Sequence, residues 1–563
     1  MAIASNTTET TEGGIPLRSL PELLAASVAQ WPNRPCVDFL GAKWTYAQIG
    51  DLVDRAAAGF RRLGVVRGTR VGLCLPNTPY SVICYFAVMK AGGTVVNYNP
   101  LYVDRELQFQ VKDSGTEIMV TMDLKVMYPK VDALLATAGL KTIVVCPMAQ
   151  ILPFPKNWLF RLFKRAEVSA VPDDARHVRF DELVGGAPIA APTAIEPKTD
   201  VAVIQYTGGT TGVPKGAMLT HANLTANAEQ VHRWVPDGFL KGDQRMLGVL
   251  PLFHVFAMTA VMNFGLRLGA ELILLPRFDL KQVLDVIVAK KPTLFPGVPT
   301  IYTALNTAAE KGGQDLSSIQ CCISGGAPLP VEVKARFEKL TGCALIEGYG
   351  LSEASPVVTC NPVGGTVKAG SIGLPLGGTT VEIRTPVSSE KELGLGERGE
   401  ICVRGPQVML GYWKRPEATA EQFHDGALRT GDIGYRDEDG YIFLVDRIKD
   451  IIICGGYNVY PRVLEEALYQ HPAVEEATVI GVPDTYRGQA PMAFVKLKAD
   501  QETTPEALMK HLGEWVSKIE LPKAIEIRDS LPKTMVGKLS KKELVAELIA
   551  RDTLDKVDLS DPG

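Results

Sequence analysis

Short apolar runs of strand length alternate with helix-length segments through the first three-quarters of the chain, and this alternation constrains the fold more than any other feature. Gly68–Leu75 reads as a turn and a buried strand, Pro79–Ala91 as an apolar helix, and Gly93–Tyr98 as a second strand. Glu117–Thr121, Thr142–Cys146 and Val201–Ile204 are β-rich runs of the same kind. Strands separated by helices pair in parallel, with the helices packed over the sheet. The expected class is therefore α/β, with a large N-terminal domain of packed parallel-type sheets. Residues 370–445 change character, with short β runs such as Glu400–Arg404 and Tyr441–Val445 between glycine-rich turns. They predict a distorted β-barrel-like part of the same domain. From Asp446 the charged stretch DRIKD leads into a smaller α+β unit, with helices expected at Val463–Gln470 and Pro505–Ile519. The boundaries that follow are a disordered lead-in over 1–14, a large domain over 15–448 and a small C-terminal domain over 449–563.

The run Val201–Ile204 opens into YTGGTTGVPKG, Tyr206–Gly216. Glycine removes the Cβ that keeps a backbone away from an anion, so main-chain N–H groups, threonine hydroxyls and Lys215 can converge on phosphate oxygens. The other reading is a mobile surface loop that is merely rich in glycine and threonine. The preceding strand, the spacing and Lys215 favour phosphate. The loop is not of the Walker type, because Pro214 precedes the lysine and Gly216 follows it. The pair Gly537-Lys538 has Pro532 where the first Walker glycine belongs, which disfavours a P-loop NTPase.

A chain of 563 residues exceeds one compact core. Its 46% apolar and 22% charged residues are ordinary for a soluble protein. The net charge of −4 offers no basic field for nucleic acid. Ten cysteines occur singly apart from Cys321 and Cys322, with no CxxC and no His/Cys cluster. Neither a disulfide framework nor a zinc site is expected, nor a haem or flavin, and reduced thiols fit a cytoplasmic protein. The segment Met1–Gly14 carries Glu9 and Glu12 and no apolar core, so it is not read as a signal peptide. Val255–Leu275 is interrupted by Arg267 and Glu271, so no membrane-spanning helix is expected.

Seven further motifs follow the phosphate loop in order: LPLFHVFAMT at Leu250–Thr259, ISGGAPL at Ile323–Leu329, EGYGLSEASP at Glu347–Pro356, GYWKRPEAT at Gly411–Thr419, RTGDIGYRDEDGYIFLVDRIKD at Arg429–Asp450, GGYNVYP at Gly455–Pro461 and LPKTMVGKLSKKEL at Leu531–Leu544. Together they resemble the adenylate-forming superfamily of acyl- and aryl-CoA synthetases, luciferases and peptide-synthetase adenylation domains, over roughly residues 20–550. Within it the chain is most similar to bacterial long-chain fatty-acid–CoA ligases.

The resemblance implies attack of a carboxylate on the α-phosphate of ATP, giving an acyl-adenylate and pyrophosphate, after which the thiol of CoA takes the acyl group. ATP, Mg2+, CoA and a medium- or long-chain fatty acid are thus the expected small molecules. Thr207, Gly208, Gly209, Thr210, Thr211 and Lys215 would hold the outer phosphates and the leaving pyrophosphate. Gly325, Gly326 and Ala327 would admit the base edge and Tyr349 would stack on adenine, with Gly350 and Ser352 in the same motif. Glu353 is the implied magnesium-linked carboxylate, since a hard cation takes oxygen ligands. Asp432 would accept from both ribose hydroxyls, with Arg447 as a second ribose or phosphate contact. Lys538 matches the mobile lysine that bridges carboxylate and α-phosphate, acting where both anions meet in the transition state. His254 would sit by the carboxylate entrance, the alternative being a satisfied core histidine. Gly455, Gly456 and Tyr457 would line a pantetheine tunnel. These residues and Lys538 lie on one small domain, so both cannot face the site together. The family's answer is rotation of that domain about Lys449. One departure stands out: the family's fatty-acid signature has tryptophan and histidine before TGD, and this chain has Ala427 and Arg429.

Val255, Met258, Met262, Val298 and Leu351 are the expected acyl lining, apolar throughout and rich in adaptable methionine. The absence of charge argues against an amino-acid substrate, but an aryl acid fits, so a coumarate-type CoA ligase is the rival. A non-catalytic carrier or scaffold of the same fold would have lost Lys538, Glu353 or Asp432, and all three are present. Finally, PFPKNWLFRLFKR at 153–165 joins Trp158, Leu159, Leu162 and Phe163 to Lys156, Arg161, Lys164 and Arg165. This suits an interfacial helix on anionic lipid at the inner face of a membrane, or equally a surface helix docked on its own domain. A homodimer is left open.

Overall fold

The computed structural model describes residues 10–11, 13–207, 214–386, 389–454, 457–484, 486–534 and 537–558. The apolar runs of the first half do become strands, gathered into an eight-stranded sheet. Val201–Thr207, Thr94–Asn97, Arg70–Cys74, Ile118–Met122, Thr142–Cys146 and His177–Arg179 pair in parallel in that spatial order. Lys215–Thr220 and Gly411–Tyr412 add antiparallel strands at the other edge. The helix Pro79–Lys90 explains why its sequence is apolar all round: every residue but Lys90 is buried, so it needs no polar face. A second, four-stranded sheet runs Arg245–Gly248, Glu271–Leu274, Pro35–Phe39, Ala42–Thr45.

The expected barrel-like part is corrected by the structure. Residues 370–445 contribute antiparallel strands to an open nine-stranded sheet. The path begins with the parallel pair Cys321–Ser324 and Ala344–Gly350, continues through Val357–Cys360, Ser371–Pro375, Ile442–Arg447, Ala427–Arg436 and Gly399–Arg404, and ends at Thr380–Arg384. Glycine-rich turns fold the strands locally into antiparallel neighbours, but a barrel needs the two outer strands to pair, and here they lie at opposite ends. Leu294 bridges Met246 on one side and Cys321 on the other, which joins this sheet to the four-stranded one.

All three sheets share one large apolar core, from Leu20 to Ile442. The C-terminal residues have a core of their own, in which Ile452, Leu464, Val479, Val495 and Leu508 meet. A five-stranded sheet carries it, with the helices Pro461–Tyr469 and Pro505–Leu512. The second helix is shorter than its sequence pattern suggested and ends before Gly513. The chain crosses between the two cores over a turn at 448–450, where Ile448 N donates to Gly431 O and Ile451 N to Arg447 O. Of the segment 1–14, Thr10, Thr11, Gly13 and Gly14 are described, and Arg233 donates to Gly14 O. All ten cysteines are buried thiols. Among the described residues no helix is long and apolar enough to cross a membrane.

Candidate active site

Three of the sequence motifs stand at the carboxyl ends of parallel-paired strands, the edge at which open α/β sheets take ligands. Thr207 ends Val201–Thr207, Gly325 follows Cys321–Ser324, and Gly350 ends Ala344–Gly350. Gly350 has a packing reason as well, because a Cβ there would lie 1.8 Å from Pro356 O. The latter two ends open on a cleft of about 470 Å3 between the large core and that of the C-terminal residues. Seven of the predicted residues line it: Gly326, Ala327, Tyr349, Gly350, Asp432, Arg447 and Lys538.

Asp432 is held from two sides. The Tyr349 hydroxyl donates to its Oδ2 at 2.6 Å, and Arg447, directly opposite on the neighbouring strand, places Nε 3.1 Å from Oδ1. Burial lifts the Asp432 carboxyl above its ordinary range, while Arg447 and Tyr349 pull it back. Lys538 enters the same corner from the C-terminal unit. Gly326 sits at φ +82°, and a Cβ on it would fall 2.5 Å from Lys538 Cε, so only glycine leaves room for the lysine stem. The preceding residue is anchored across the cleft, with Thr300 Oγ1 donating to Gly537 O at 2.7 Å. Burial, reinforced by the Arg447 guanidinium and opposed by Asp432, brings the Lys538 ammonium down to about 8.

The phosphate side rests on the hairpin that pairs Thr207 with Lys215. Gly208, Gly209, Thr210 and Thr211 lie outside the described residues. Lys215 Nζ stands 5.0 Å from the centre of the Tyr412 ring, within cation–π range. The Tyr412 hydroxyl donates to Glu353 Oε1 at 2.8 Å, and Met409 N donates to Glu353 O at 2.8 Å. Tyr412 therefore couples two predicted residues that lie 138 positions apart (353 − 215). The sequence reading assigned it no role, although it stands inside GYWKRPEAT. Ser352 opens the short helical turn that carries Glu353. The donor set suits a magnesium ion that arrives on ATP, since Tyr412 occupies one Glu353 oxygen and a second remains. Among the described residues no group of three or more His, Cys, Asp or Glu would hold a metal by itself.

His254 caps the helix Val255–Ala257, with its Nδ1 accepting from Phe256 N at 3.3 Å. Burial and the nearby Lys538 charge push the imidazole down to about 3, so it is neutral at physiological pH. With Nδ1 accepting, the ring proton resides on Nε2, which makes that atom a donor.

Within the large core lies a slit of about 20 Å3, the space open to a water-sized sphere, lined by fifteen residues of which none is charged. Trp234, Val231, Ala260, Phe264, Ile323 and Val357 are among them. The predicted acyl residues Val255, Met258, Met262, Val298 and Leu351 are not. Met258 and Met262, four residues apart, share one side of the helical stretch, where Asn97 Nδ2 donates to Met258 Sδ at 3.5 Å, while Ala260 and Phe264 on the other side line the slit. Val298 instead abuts Gly537. Leu351 packs against the large core. Of the predicted CoA residues, Gly455 and Gly456 lie outside the described residues, and Tyr457 is exposed and away from the cleft wall. Sequence reasoning also passed over Glu347, a buried acid on the cleft wall whose carboxyl burial pushes up to about 7.

The model of the AMP-binding enzyme family matches residues 24–413, and that of the AMP-binding enzyme C-terminal domain matches 463–538. The chain is 44% identical to a long-chain-fatty-acid--CoA ligase of Bacillus subtilis (strain 168), over 95% of each chain. It is 36% identical to a long-chain-fatty-acid--CoA ligase of Escherichia coli O157:H7, over 96% of each. Its fold superposes with a TM-score of 0.84 on the anthranilate CoA ligase AuaEII in complex with anthranoyl-AMP, at 26% identity, covering 96% of this chain and 100% of that one.

Proposed function

The chain belongs to the AMP-binding enzyme family, and on that premise we propose that it is a fatty-acid–CoA ligase acting in two steps. A fatty-acid carboxylate oxygen attacks the α-phosphorus of ATP, the bond to the β-phosphate breaks, and pyrophosphate leaves. The sulfur of CoA then displaces AMP from the acyl carbon, its proton passing to solvent. The observation that supports this reading is Lys538 lodged against Gly326, in the cleft that Asp432 and Arg447 also line.

The obstacle in the first step is charge, because one anion must approach another. Lys538 would stand between the carboxylate and the α-phosphate and stabilise their joint charge most in the transition state. Asp432, fixed by Tyr349 and Arg447, would take the ribose hydroxyls, and His254 Nε2–H would donate to the incoming carboxylate. Lys215 and the loop before it would hold the leaving pyrophosphate. Glu353 would hold magnesium, which offsets phosphate charge. For the second step Gly455, Gly456 and Tyr457 would have to replace Lys538 at the site, by rotation about Lys449. A long-chain acid dissolves in bilayers, so contact with a membrane through 153–165 would bring the enzyme to its substrate.

The uncharged lining of the slit suits an alkyl chain, which would enter by displacing packed side chains. ATP- and CoA-dependent pyrophosphate release, measured from acetate to stearate and with coumarate, should peak among the medium and long alkyl acids. A preference for coumarate would replace the fatty-acid reading with the aryl one. No release with any of the acids would leave only a carrier.

A further inference from the structure

Asp113 lies in the last turn of the helix Asp104–Ser114. A carboxylate there faces the negative end of the helix dipole and is disfavoured unless donors meet it. Two do, from distant parts of the chain. The Tyr206 hydroxyl donates to Asp113 Oδ2 at 2.6 Å, and Arg415 Nη2 stands 2.6 Å from Oδ1. The Asp113 side chain is only 10% exposed, so both bonds are largely shielded from water. Its main-chain carbonyl, one of the four that a helix end leaves without an intrahelical donor, accepts from Trp413 Nε1 at 3.2 Å and Lys414 Nζ at 3.1 Å. One residue thus fastens the three consecutive residues 413–415 and a tyrosine 93 positions downstream.

These partners converge on the strand that carries Lys215. Tyr206 pairs with Gly216 across the hairpin, and Trp413 N donates to Gly216 O at 2.8 Å. Tyr412, whose ring centre lies 5.0 Å from Lys215 Nζ, directly precedes Trp413. A lysine ammonium rides on a flexible stem, so where it stands depends on how its strand and the ring beside it are held. Asp113 itself does not line the cleft, so any effect it has there must pass through Tyr206 and Arg415.

We propose that Asp113 is a positioning residue for the phosphate end of the nucleotide: its carboxylate ties Tyr206 to Arg415 and so fixes Lys215 where the outer phosphates of ATP are taken. This rests on the reading that Lys215 holds those phosphates, and it names the residue that keeps Lys215 in place.

The test is equilibrium titration of the full chain with ATP and, separately, with AMP, magnesium present in both and no acid or CoA. The pair isolates the phosphate end from the rest of the nucleotide. Asp113→Ala should bind ATP about tenfold more weakly, the scale on which losing the partner of a binding residue is felt, and AMP within about twofold of the wild type. Tyr206→Phe deletes one hydroxyl and opens no cavity, so it carries the test should Asp113→Ala fail to fold. It should show a smaller split of about threefold, one hydrogen bond of the two being lost. Adding Tyr206→Phe to Asp113→Ala should cost nothing further, since both changes break the same contact. Lys414→Gln, exposed and bonded to the Asp113 main chain, should bind both nucleotides as the wild type does.

Equal weakening of ATP and AMP would overturn the proposal and reduce Asp113 to a structural ion pair. Unchanged ATP binding in both single variants would overturn it too, as would losses that add in the double variant. A chain whose variants show the split but which forms no acyl-adenylate from any acid would sink the functional reading alone. Acyl-adenylate formation without the split would sink only this proposal.

Discussion

The role proposed for Lys538 requires its charge, and its surroundings make that charge conditional. With the ammonium brought down to about 8, the protonated form dominates below that pH and is lost as pH rises through it. The kcat/KM for adenylation should therefore fall about tenfold per unit on the alkaline side of pH 8, because kcat/KM reports the free enzyme. Lys538→Arg should move that limb out of range. Lys538→Ala should lose about a hundredfold or more in acyl-adenylate formation, the scale of removing one preorganised charge stabiliser. It should keep thioester formation from a supplied acyl-adenylate, and full adenylation activity in that variant would dismiss the assignment. Tyr412 offers a separate test on the pyrophosphate side. Tyr412→Phe keeps the ring under Lys215 and removes the hydroxyl's bond to Glu353 together with a longer one, 3.3 Å, to Gln422 Oε1. A hydrogen bond to a charged group is worth about 1.5–3 kcal/mol, so the affinity for Mg-ATP in equilibrium titration should weaken about tenfold or more. Affinity for ATP without the metal should hardly change. Equal weakening of both would mean that Tyr412 merely packs.

The segment 255–267 shows where reading elements from sequence succeeds and where it stops. Its apolar character marked a stretch that meets the slit, but not which side does so: Met258 and Met262 share one side, and Ala260 and Phe264 on the other line the slit. Which side faces it is set by packing against distant elements. The same limit hid Tyr412, whose partner Glu353 lies 59 residues upstream. It also let glycine-rich turns suggest a barrel, because closure is decided by distant edges rather than by the turns. That Gly326, Asp432 and Lys538 share a cleft was legible because each sits in a short motif with its own local geometry: a glycine at positive φ, an acid opposite an arginine, a lysine after an anchored glycine. The slit yields an element-scale prediction. Ala260→Leu should narrow it, with stearate activity falling about tenfold against a nearly unchanged octanoate activity, since overpacked cores resist added methylenes. Met258→Leu, on the opposite side of the turn, should leave the chain-length profile as it was; a profile shifted by Met258 and not by Ala260 would put the acyl chain elsewhere.

At the scale of the whole molecule, two cores meet across one cleft, and the arrangement with Lys538 inside leaves Tyr457 out at the surface. Two contacts that hold it are modest: the Thr300 bond to Gly537 O and an ion pair between Lys498 and Glu332 at 2.9 Å. An exposed ion pair of this kind contributes about 1 kcal/mol or less, while a buried bond from Arg462 N to Asp446 Oδ2 also joins the two parts. The chain crosses between the cores at the turn 448–450, and any rotation must be absorbed there. Proline at 449 would fix its own φ near −65° and push Ile448 out of the helical region, freezing the turn near one setting. If Lys449 is the hinge, Lys449→Pro should lower thioester formation by about tenfold or more while adenylation stays within about twofold, because only the second step needs the turn to change. Lys449→Ala keeps the backbone freedom and should keep both rates. Single-turnover measurement of each half-reaction separates the cases: equal loss of both in the proline variant would mean that the turn is structural and that the domains exchange positions, if they do, about some other point.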